Sequence, residues 1–337
     1  MTISSTFWQK FSNNTRNKYS LYIFVILFVF SLFAEIISND KPIALMIDDE
    51  IYFPIIISYS DKEFGGYFDT EADYKDNFMT SKIDKESNWA IFPINPHSYN
   101  SINIDNSQPN PASPSVHNYL GTDDRGRDVL ARLIYGFRLS VLFAFALTAI
   151  GILIGVFFGA IQGYFAGRVD LFMQRFIEVW SSMPELYILI IFSSLFEPSI
   201  GLLIILLSLF GWMGLSDYVR AEFLKGRNME YVIAARTLGL SNTHIILKHI
   251  LPNSMVSVIT FLPFRISGAI LILTSLDFLG LGVPPDTPSL GELLAQGKEN
   301  IEAWWLSLTT FLVLVGTLLL LIFIGEGIRE SLDSRSS

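Results

Sequence analysis

The residue types that usually carry catalysis are few in this chain, and their spacing builds no reactive site. Its 337 residues contain no cysteine, which excludes thiolate metal sites, iron–sulfur clusters and a cysteine nucleophile. No G-x-x-x-x-G-K-[ST] segment for binding ATP phosphates is present. The four histidines form no pair such as H-E-x-x-H; they are His97, His117, His244 and His249. The sequence therefore predicts no catalytic residue, no bound cofactor and no metal.

Two charged side chains lie within or beside a long apolar run, Ser254–Leu276, where an ionisable group is costly and usually functional. They are Arg265 and Asp277. No acidic residue stands one helical turn from Arg265, so its own helix offers the guanidinium no partner. We therefore expect Arg265 and Asp277 to line a pathway through the membrane.

A second set of charges stands at the entry to another apolar run and consists of Arg175, Glu178 and Glu185. Arg175 and Glu178 are three residues apart, a spacing that brings side chains together on one helix face. A helical ion pair at the membrane interface accounts for both of them.

Five glycines recur four residues apart in and just beyond the apolar run Leu139–Tyr164. They are Gly151, Gly155, Gly159, Gly163 and Gly167. At 3.6 residues per turn such positions share one slowly drifting helix face. Because glycine has no side chain, a second helix can approach this face at backbone distance. We expect helix packing, rather than substrate contact, along Gly151–Gly163, and a central place for this helix.

A polar segment, residues 228–253, separates two apolar runs and is too charged to enter lipid. It is predicted to form two short helices outside the membrane. Gly239 can end the first helix in a left-handed conformation, and Ser241 or Asn242 can cap the second. Pro252 then restarts the chain toward the membrane.

The composition of the chain indicates the kind of structure that holds these residues in place. The chain is 51% hydrophobic, with a mean hydropathy of +0.44, and one soluble core cannot bury so many apolar side chains. The apolar side chains that such a core cannot bury must face lipid. The net charge of −9 is concentrated between Asp40 and Asp105, where 13 acidic residues stand against 5 lysines. Since no cluster of lysine and arginine is present to meet phosphates, nucleic acid is not an expected partner.

Six apolar runs are candidates to cross a bilayer core of about 30 Å. They are Leu21–Ile37, Leu139–Tyr164, Leu186–Phe196 with an amphipathic approach from Leu171, Ile200–Leu215, Ser254–Leu276 and Leu306–Gly325. The fourth run is short and interrupted by glycine, but it is free of charge. The expected fold class is an all-α polytopic membrane protein with six transmembrane helices.

The positive-inside rule orients these helices, because short cytoplasmic loops are enriched in lysine and arginine. An N-terminus in the cytoplasm places nine basic residues inside: Arg168, Arg175, Arg220, Lys225, Arg227, Arg236, Lys248, Arg329 and Arg335. Four arginines before the second helix disagree, but long translocated loops are largely exempt from the rule; they are Arg125, Arg127, Arg132 and Arg138. We expect a cytoplasmic N-terminus and first helix over 1–37, a membrane core over 138–327 and a cytoplasmic tail over 328–337.

Residues 38–137 exceed an ordinary connection in length. They are predicted to lie on the periplasmic side, as a small domain or an elaborated loop. Turn signals at Gly65-Gly66 and Pro93 favour short strands and irregular chain over helix.

The polar segment 228–253 resembles the EAA loop of binding-protein-dependent ABC importers. The resemblance rests on Ala234-Ala235, on Gly239 four residues later, and on Ile250-Leu-Pro252 after the second helix. In that family the loop is a coupling helix that docks in a groove of the ATP-binding subunit. Here Ile233 stands where the family has an acidic residue. The flat surface of Ala234 and Ala235 is expected to meet the ATPase.

Two further segments resemble signatures of the dipeptide, oligopeptide and nickel importer permeases. They are Gly121-Thr-Asp-Asp-Arg-Gly-Arg-Asp before the second apolar run, and Ser275-Leu-Asp-Phe-Leu-Gly-Leu-Gly with Pro288-Ser-Leu-Gly-Glu after it. The resemblance extends from Leu21 to Asp333. Within this family, the enlarged acidic outer region is most similar to permeases of microcin C and peptide importers.

The resemblance implies a type I ABC importer permease fold in the bacterial inner membrane, forming half of a pathway for peptides or peptide-like compounds. The implied partners are a second homologous permease, one or two ATP-binding subunits that hydrolyse ATP in place of this chain, and a periplasmic peptide-binding protein. The rival hypothesis is an ion-coupled secondary transporter. Such carriers usually show inverted repeats and broken helices with charges at the midplane. No internal repeat is visible here.

Overall fold

The computed structural model describes residues 2–85, 87–102 and 109–332. The chain divides into two compact units. The first unit consists of Met1–Val25, Ser140–Pro284 and Val315–Ser337, and the second of Ile26–Leu139 and Pro285–Leu314. The second unit thus includes residues 285–314, which the sequence analysis assigned to the membrane core.

Within the described residues the secondary structure is mainly helical. The helices are α1 Thr2–Asn13, α2 Thr15–Leu32, α3 Ala34–Ile37, α4 Asn77–Ile83, α5 Val129–Phe165, α6 Gly167–Ser181, α7 Glu185–Leu195, α8 Ile200–Gly211, α9 Met213–Gly226, α10 Glu230–Thr237, α11 Asn242–Ile245, α12 Leu251–Phe278, α13 Leu290–Glu299 and α14 Trp304–Leu332. The strands are β1 Ala44–Ile47, β2 Glu50–Tyr52 and β3 Trp89–Ile91.

Four helical stretches among the described residues are long and apolar enough to cross a membrane: 129–165, 200–226, 242–278 and 304–332. The pair α6 and α7, bent by 63°, adds a fifth if it counts as one broken span. The N-terminal helix α2, which begins with Arg16 and Lys18, is not among them. The number six therefore stays a prediction, while a polytopic membrane protein is confirmed.

The fourth predicted run is longer than expected. Its predicted end is Leu215, whereas α8 and α9 together form a 27-residue stretch that extends to Gly226. Trp212 separates the two helices. The hydropathy of the sequence predicts too early an end to this run because α9 is amphipathic. The charged side chains of α9 lie on one side of the helix, while Val219 and Phe223 on the other side are buried.

Pro252 does not restart the chain as predicted. The helix that begins at Asn242 continues as far as Phe278, so the second short helix is the first part of the next span. A five-residue π turn, Ile246–Ile250, precedes α12 and lets Leu251 donate its N–H to the carbonyl of Ile246. Pro252 occupies the first turn of α12, where a missing N–H costs little.

The region after α3 contains a small hydrophobic core of its own within the second unit, and we call it the small domain. Its antiparallel sheet has the order β2-β1-β3. Helix α4 was not expected from the turn signals; Asp76 caps it by accepting the N–H of Met79 at 2.6 Å. Six side chains form the core: Leu45, Ile47, Phe64, Ala72, Tyr74 and Met79.

The arginines that disagreed with the charge rule are paired with acids within the second unit. Nε of Arg127 donates to Oδ2 of Asp123 at 2.7 Å, and Arg127 also meets Glu292 of α13 at 3.1 Å. Arg132, fully buried, forms a second ion pair with Glu292. Burial, the largest single influence, lowers the pKa of Arg127, but the hydrogen bond that the guanidinium donates to Asp123 and the charges of Asp123 and Glu292 together outweigh it and raise the pKa. Two of the sequence signatures, around Asp123 and Glu292, thus meet in one buried cluster.

Candidate functional site

The polar segment 228–253 lies entirely within the first unit and begins with α10. Gly239 follows this helix with a φ of +79°, the left-handed conformation predicted for it. Its N–H donates to the carbonyl of Arg236 at 3.0 Å, and the N–H of Leu240 donates to that of Ala235 at 3.2 Å. This pair of bonds is the Schellman arrangement that ends a helix. The chain then enters α11, where the Ser241 hydroxyl accepts the N–H of His244.

One tyrosine of the membrane helix α5, Tyr164, contacts this segment through its side chain. The Tyr164 hydroxyl donates to Oδ1 of Asn242 at 2.7 Å. The guanidinium of Arg236 lies over the same ring, 5.2 Å from its centroid. Side chains of α10 and α11 are thereby held to the end of one long helix. Sequence reasoning missed Tyr164, because nothing local pairs residues 78 positions apart.

The two alanines of α10 differ in their surroundings, contrary to the prediction that both present a flat outer surface. Ala235 is buried in a hydrophobic core together with Val232, Phe223 and Ile245. Ala234 is exposed. The difference arises because positions 232 and 235 share one face of the short helix, and that face packs on the rest of the unit.

The exposed face of α10 consists of Tyr231, Ala234 and Leu238, spaced by three and four residues, and we call it the docking face. Leu238 is 81% exposed and Tyr231 43% exposed. Such a cluster of exposed apolar side chains on a polar segment marks a surface for a partner. Ile233, at the position where the family has an acid, is also half exposed, but on another side of the helix from Tyr231.

The glycine series of α5 lies against α9 and the residue before it. A Cβ on Gly155 would be 2.9 Å from the carbonyl oxygen of Trp212, and one on Gly159 would be 2.5 Å from that of Ser216. A Cβ on Gly163 would be 2.4 Å from Cβ of Phe223. Atoms at these distances clash, so only glycine fits at all three positions while the helices stay in place. The role of these glycines in holding the assembled transporter stays a prediction.

Gly151, at the start of the series, has Arg265 as its nearest neighbour: a Cβ there would be 3.0 Å from Nη2 of Arg265 and 3.7 Å from the carbonyl oxygen of Gly211. The Arg265 guanidinium donates to the carbonyl oxygen of Gly211 at 2.6 Å, where α8 ends. A cation at the C-terminus of a helix is favourable, because it meets carbonyls that lack an intrahelical partner. The contact gives Arg265 a structural partner that the sequence did not reveal; its place on a pathway stays a prediction.

Asp277 is buried and serves the turn after α12. Its Oδ1 accepts the N–H of Val283 at 2.8 Å. Gly282 lies so close to this carboxylate that a Cβ there would be 1.7 Å from Oδ1. The turn therefore explains both the aspartate and the glycine of the Ser275–Val283 signature. Contact between Asp277 and a substrate stays a prediction.

Among the residues that the structure describes, no group of three or more histidine and acidic side chains could hold a metal ion. The geometry instead combines long apolar helices, a close-packed glycine helix and a polar segment with an exposed apolar face. These features define a polytopic membrane protein whose polar segment has an exposed apolar face.

The comparisons with known proteins agree with this class. Residues 151–337 match the family described as binding-protein-dependent transport system inner membrane component. The chain is 48% identical to the inner membrane ABC transporter permease protein YejE of Escherichia coli, over 97% of this chain and 95% of that protein. It is 47% identical to the peptidoglycan transport system permease protein YejE of Agrobacterium fabrum, over 98% and 92% of the two chains.

More distant similarity points the same way. The oligopeptide transport system permease protein OppC of Haemophilus influenzae is 38% identical over 66% of this chain and 73% of that protein. The methionine ABC transporter MetNI, solved in inward-facing conformations, matches with a TM-score of 0.50 and 16% identity, covering 60% of this chain and 97% of that chain. That likeness concerns the fold alone.

The chain belongs to the family of binding-protein-dependent transport system inner membrane components. It is an inner-membrane permease subunit of an ABC importer, a family that implies ATP-binding subunits and a substrate-binding protein as partners.

Proposed function

We propose that the docking face, Tyr231, Ala234 and Leu238, is the surface through which a separate ATP-binding subunit drives this permease. The observation that supports the proposal is that the segment with these exposed apolar side chains is also attached to the membrane helix α5. Leu238 is 81% exposed, while Tyr164 holds the same segment to α5 through Asn242 and Arg236. A partner that moves the docking face therefore also moves a helix of the membrane core.

The experiment compares Leu238→Asp with Ile94→Asp in the assembled complex. Both wild-type side chains are 81% exposed, and Ile94 lies in the second unit, far along the chain from the docking face. Leu238→Asp places an unpaired charge in an apolar contact and should release the ATP-binding subunit. Ile94→Asp should not. Retention of the ATP-binding subunit by both variants in mild detergent would contradict the proposal.

The coupling sequence follows the family. Closure of the ATP-binding subunits moves the polar segment as a rigid body, and the pathway between this chain and a second, homologous permease changes its accessibility. A periplasmic peptide-binding protein delivers the cargo. In this proposal both termini lie in the cytoplasm, and the small domain after α3 lies in the periplasm. The ion-coupled alternative is disfavoured, because secondary carriers have no need of a docking element for an ATPase.

We further propose that the cargo consists of peptides or peptide-like compounds such as microcin C. The names of the relatives, which refer to oligopeptide and peptidoglycan transport, support a peptide-containing cargo. The test uses a strain that lacks this gene and the same strain carrying it on a plasmid. Restored uptake of a labelled tripeptide together with restored sensitivity to microcin C supports the proposal. Peptide uptake without microcin sensitivity would remove microcin C from the cargo.

A further inference from the structure

A cavity of about 420 Å³ lies within the first unit at the bend between α6 and α7. Its volume is that of a small-molecule site, since such sites usually occupy about 300–1,000 Å³. Most of the lining is apolar and includes Leu147, Met183, Leu207, Phe210 and Ile272. The cavity therefore lies where a span is broken, which is where many transporters hold their cargo.

Glu185 is the only ionisable side chain among the lining residues. It stands at the start of α7 and is partly buried. Within the described part of the chain its carboxylate has no hydrogen bond or ion pair. Glu178, one helix earlier, differs in this respect, because it pairs with Arg175 as the sequence predicted. An unpaired carboxylate beside an apolar cavity is costly unless a cation meets it.

Another part of the lining is the end of α8, where two backbone carbonyls accept hydrogen bonds from side chains. The indoles of Trp180 and Trp212 both donate to the carbonyl oxygen of Leu209, at 3.0 and 2.9 Å. Arg265 donates to that of Gly211. Arg265 thus binds a backbone carbonyl beside the cavity, and Glu185 is the one charged side chain among the lining residues.

We propose that this cavity is a subsite for an ammonium group of the cargo, with Glu185 as the carboxylate that receives it. A peptide carries such a group at its N-terminus and on lysine side chains. The apolar walls accept the adjoining aliphatic part of the peptide, and the ammonium group donates charge-assisted hydrogen bonds to Glu185. The proposal rests on the assignment of the chain as a peptide permease, and peptide-uptake assays test that assignment separately.

The native chain has no cysteine, so one introduced thiol reports on the cavity without background. Met183→Cys places that thiol in the lining. In the complete complex, we would measure its reaction with methanethiosulfonates that carry either a trimethylammonium or a sulfonate group. A nearby carboxylate attracts the first reagent and repels the second, so the ratio of their rates should fall about fivefold when Glu185→Gln is added.

The matched control adds Glu197→Gln, which removes the same charge from an exposed position beyond the other end of α7. The rate ratio should not change in this variant. An unchanged ratio in Glu185→Gln, or no reaction of the thiol with either reagent in any nucleotide state, would overturn the proposal.

Peptide protection then identifies the ligand group. Trialanine should slow labelling of the Met183→Cys thiol more than N-acetyl-trialanine does, and Glu185→Gln should abolish the difference. N-acetyl-trialanine extended by lysine distinguishes a side-chain ammonium from an N-terminal one. Equal protection by all three peptides would overturn the proposal. If the wild-type complex does not take up peptides at all, that result counts instead against the assignment of peptides as the cargo.

Discussion

The hydroxyl of Tyr164 in α5 donates a hydrogen bond of 2.7 Å to the side-chain oxygen of Asn242 at the start of α11. The two residues join the membrane helix that carries the glycine series to the polar segment that carries the docking face. Arg236 adds a cation–π contact to the same tyrosine ring. The link is made by side chains alone, so it can be cut without changing the backbone of either element.

Tyr164→Phe should weaken coupling while leaving the complex assembled. The substitution keeps the ring under Arg236 but removes one hydrogen bond, a change of about 1 kcal/mol in most proteins. We expect the ATP-binding subunit to remain bound and its stimulation by loaded binding protein to fall. Tyr187→Phe, at an exposed position of α7, serves as the control. Full stimulation in Tyr164→Phe would show that the link carries no motion.

Gly239→Val should misdirect the chain after α10, since a left-handed conformation costs an ordinary side chain about 1–2 kcal/mol. Nothing lies within 4 Å of a Cβ at this position, so the penalty is conformational and not steric. Gly239→Asn is the control because asparagine tolerates this conformation. Retention of the ATP-binding subunit, measured by pull-down, should be lost in the valine variant and kept in the asparagine variant. Equal retention in both would refute a role for the turn.

Gly159→Ala should force α5 away from α9. Its Cβ would lie 2.5 Å from the carbonyl oxygen of Ser216, a backbone atom that cannot move alone. We expect a lower melting temperature and loss of the assembled complex on size exclusion. Gly268→Ala, in α12, meets nothing within 4 Å and should be neutral or stabilising by up to about 1 kcal/mol. If both variants behave alike, close approach at Gly159 does not hold the helices.

Glu292→Ala should destabilise the second unit strongly. The carboxylate pairs with Arg127 and with the fully buried Arg132, and loss of one partner from a buried ion pair typically costs about 3–5 kcal/mol. Thermal unfolding of the purified complex would measure the effect. Glu299→Ala at the exposed end of the same helix should leave the melting temperature unchanged. A similar shift in both variants would show that the cluster adds no stability.

Asn77→Cys tests the orientation of the chain. Asn77 is exposed at the start of α4 in the small domain, and the chain offers no other thiol. An impermeant maleimide should label it in intact spheroplasts. The reference is Ser241→Cys in the polar segment, which should label only after lysis. The reverse pattern would invert the topology of every loop.

Hydropathy predicted the positions of the long helices, because lipid imposes the same requirement on every spanning residue. Gly239 was also predictable, since a left-handed turn selects a residue type at one position. The inward face of α10 was not predictable. In a helix of two turns, Val232 and Ala235 on one side and Ala234 and Leu238 on the other are equally apolar, and only tertiary packing decides which pair is buried.

Contacts between distant residues were equally hidden. The pairing of Arg132 with Glu292 joins residues 160 positions apart, and no local pattern requires it. Pro252 misled the prediction, because the π turn before it lets a helix pass through a proline at low cost. The sequence marks where a charge or a proline stands, but not which partner or distortion accommodates it.

The break between α8 and α9 depends on residues made at different times during synthesis. Trp180, 29 residues before Leu209, has already left the ribosome when that carbonyl emerges, whereas Arg265 follows Gly211 by 54 residues. The Gly211 carbonyl is therefore synthesised before the Arg265 guanidinium that binds it. The hydrogen bond that Arg265 donates at the end of α8 can therefore form only after α12 has been synthesised.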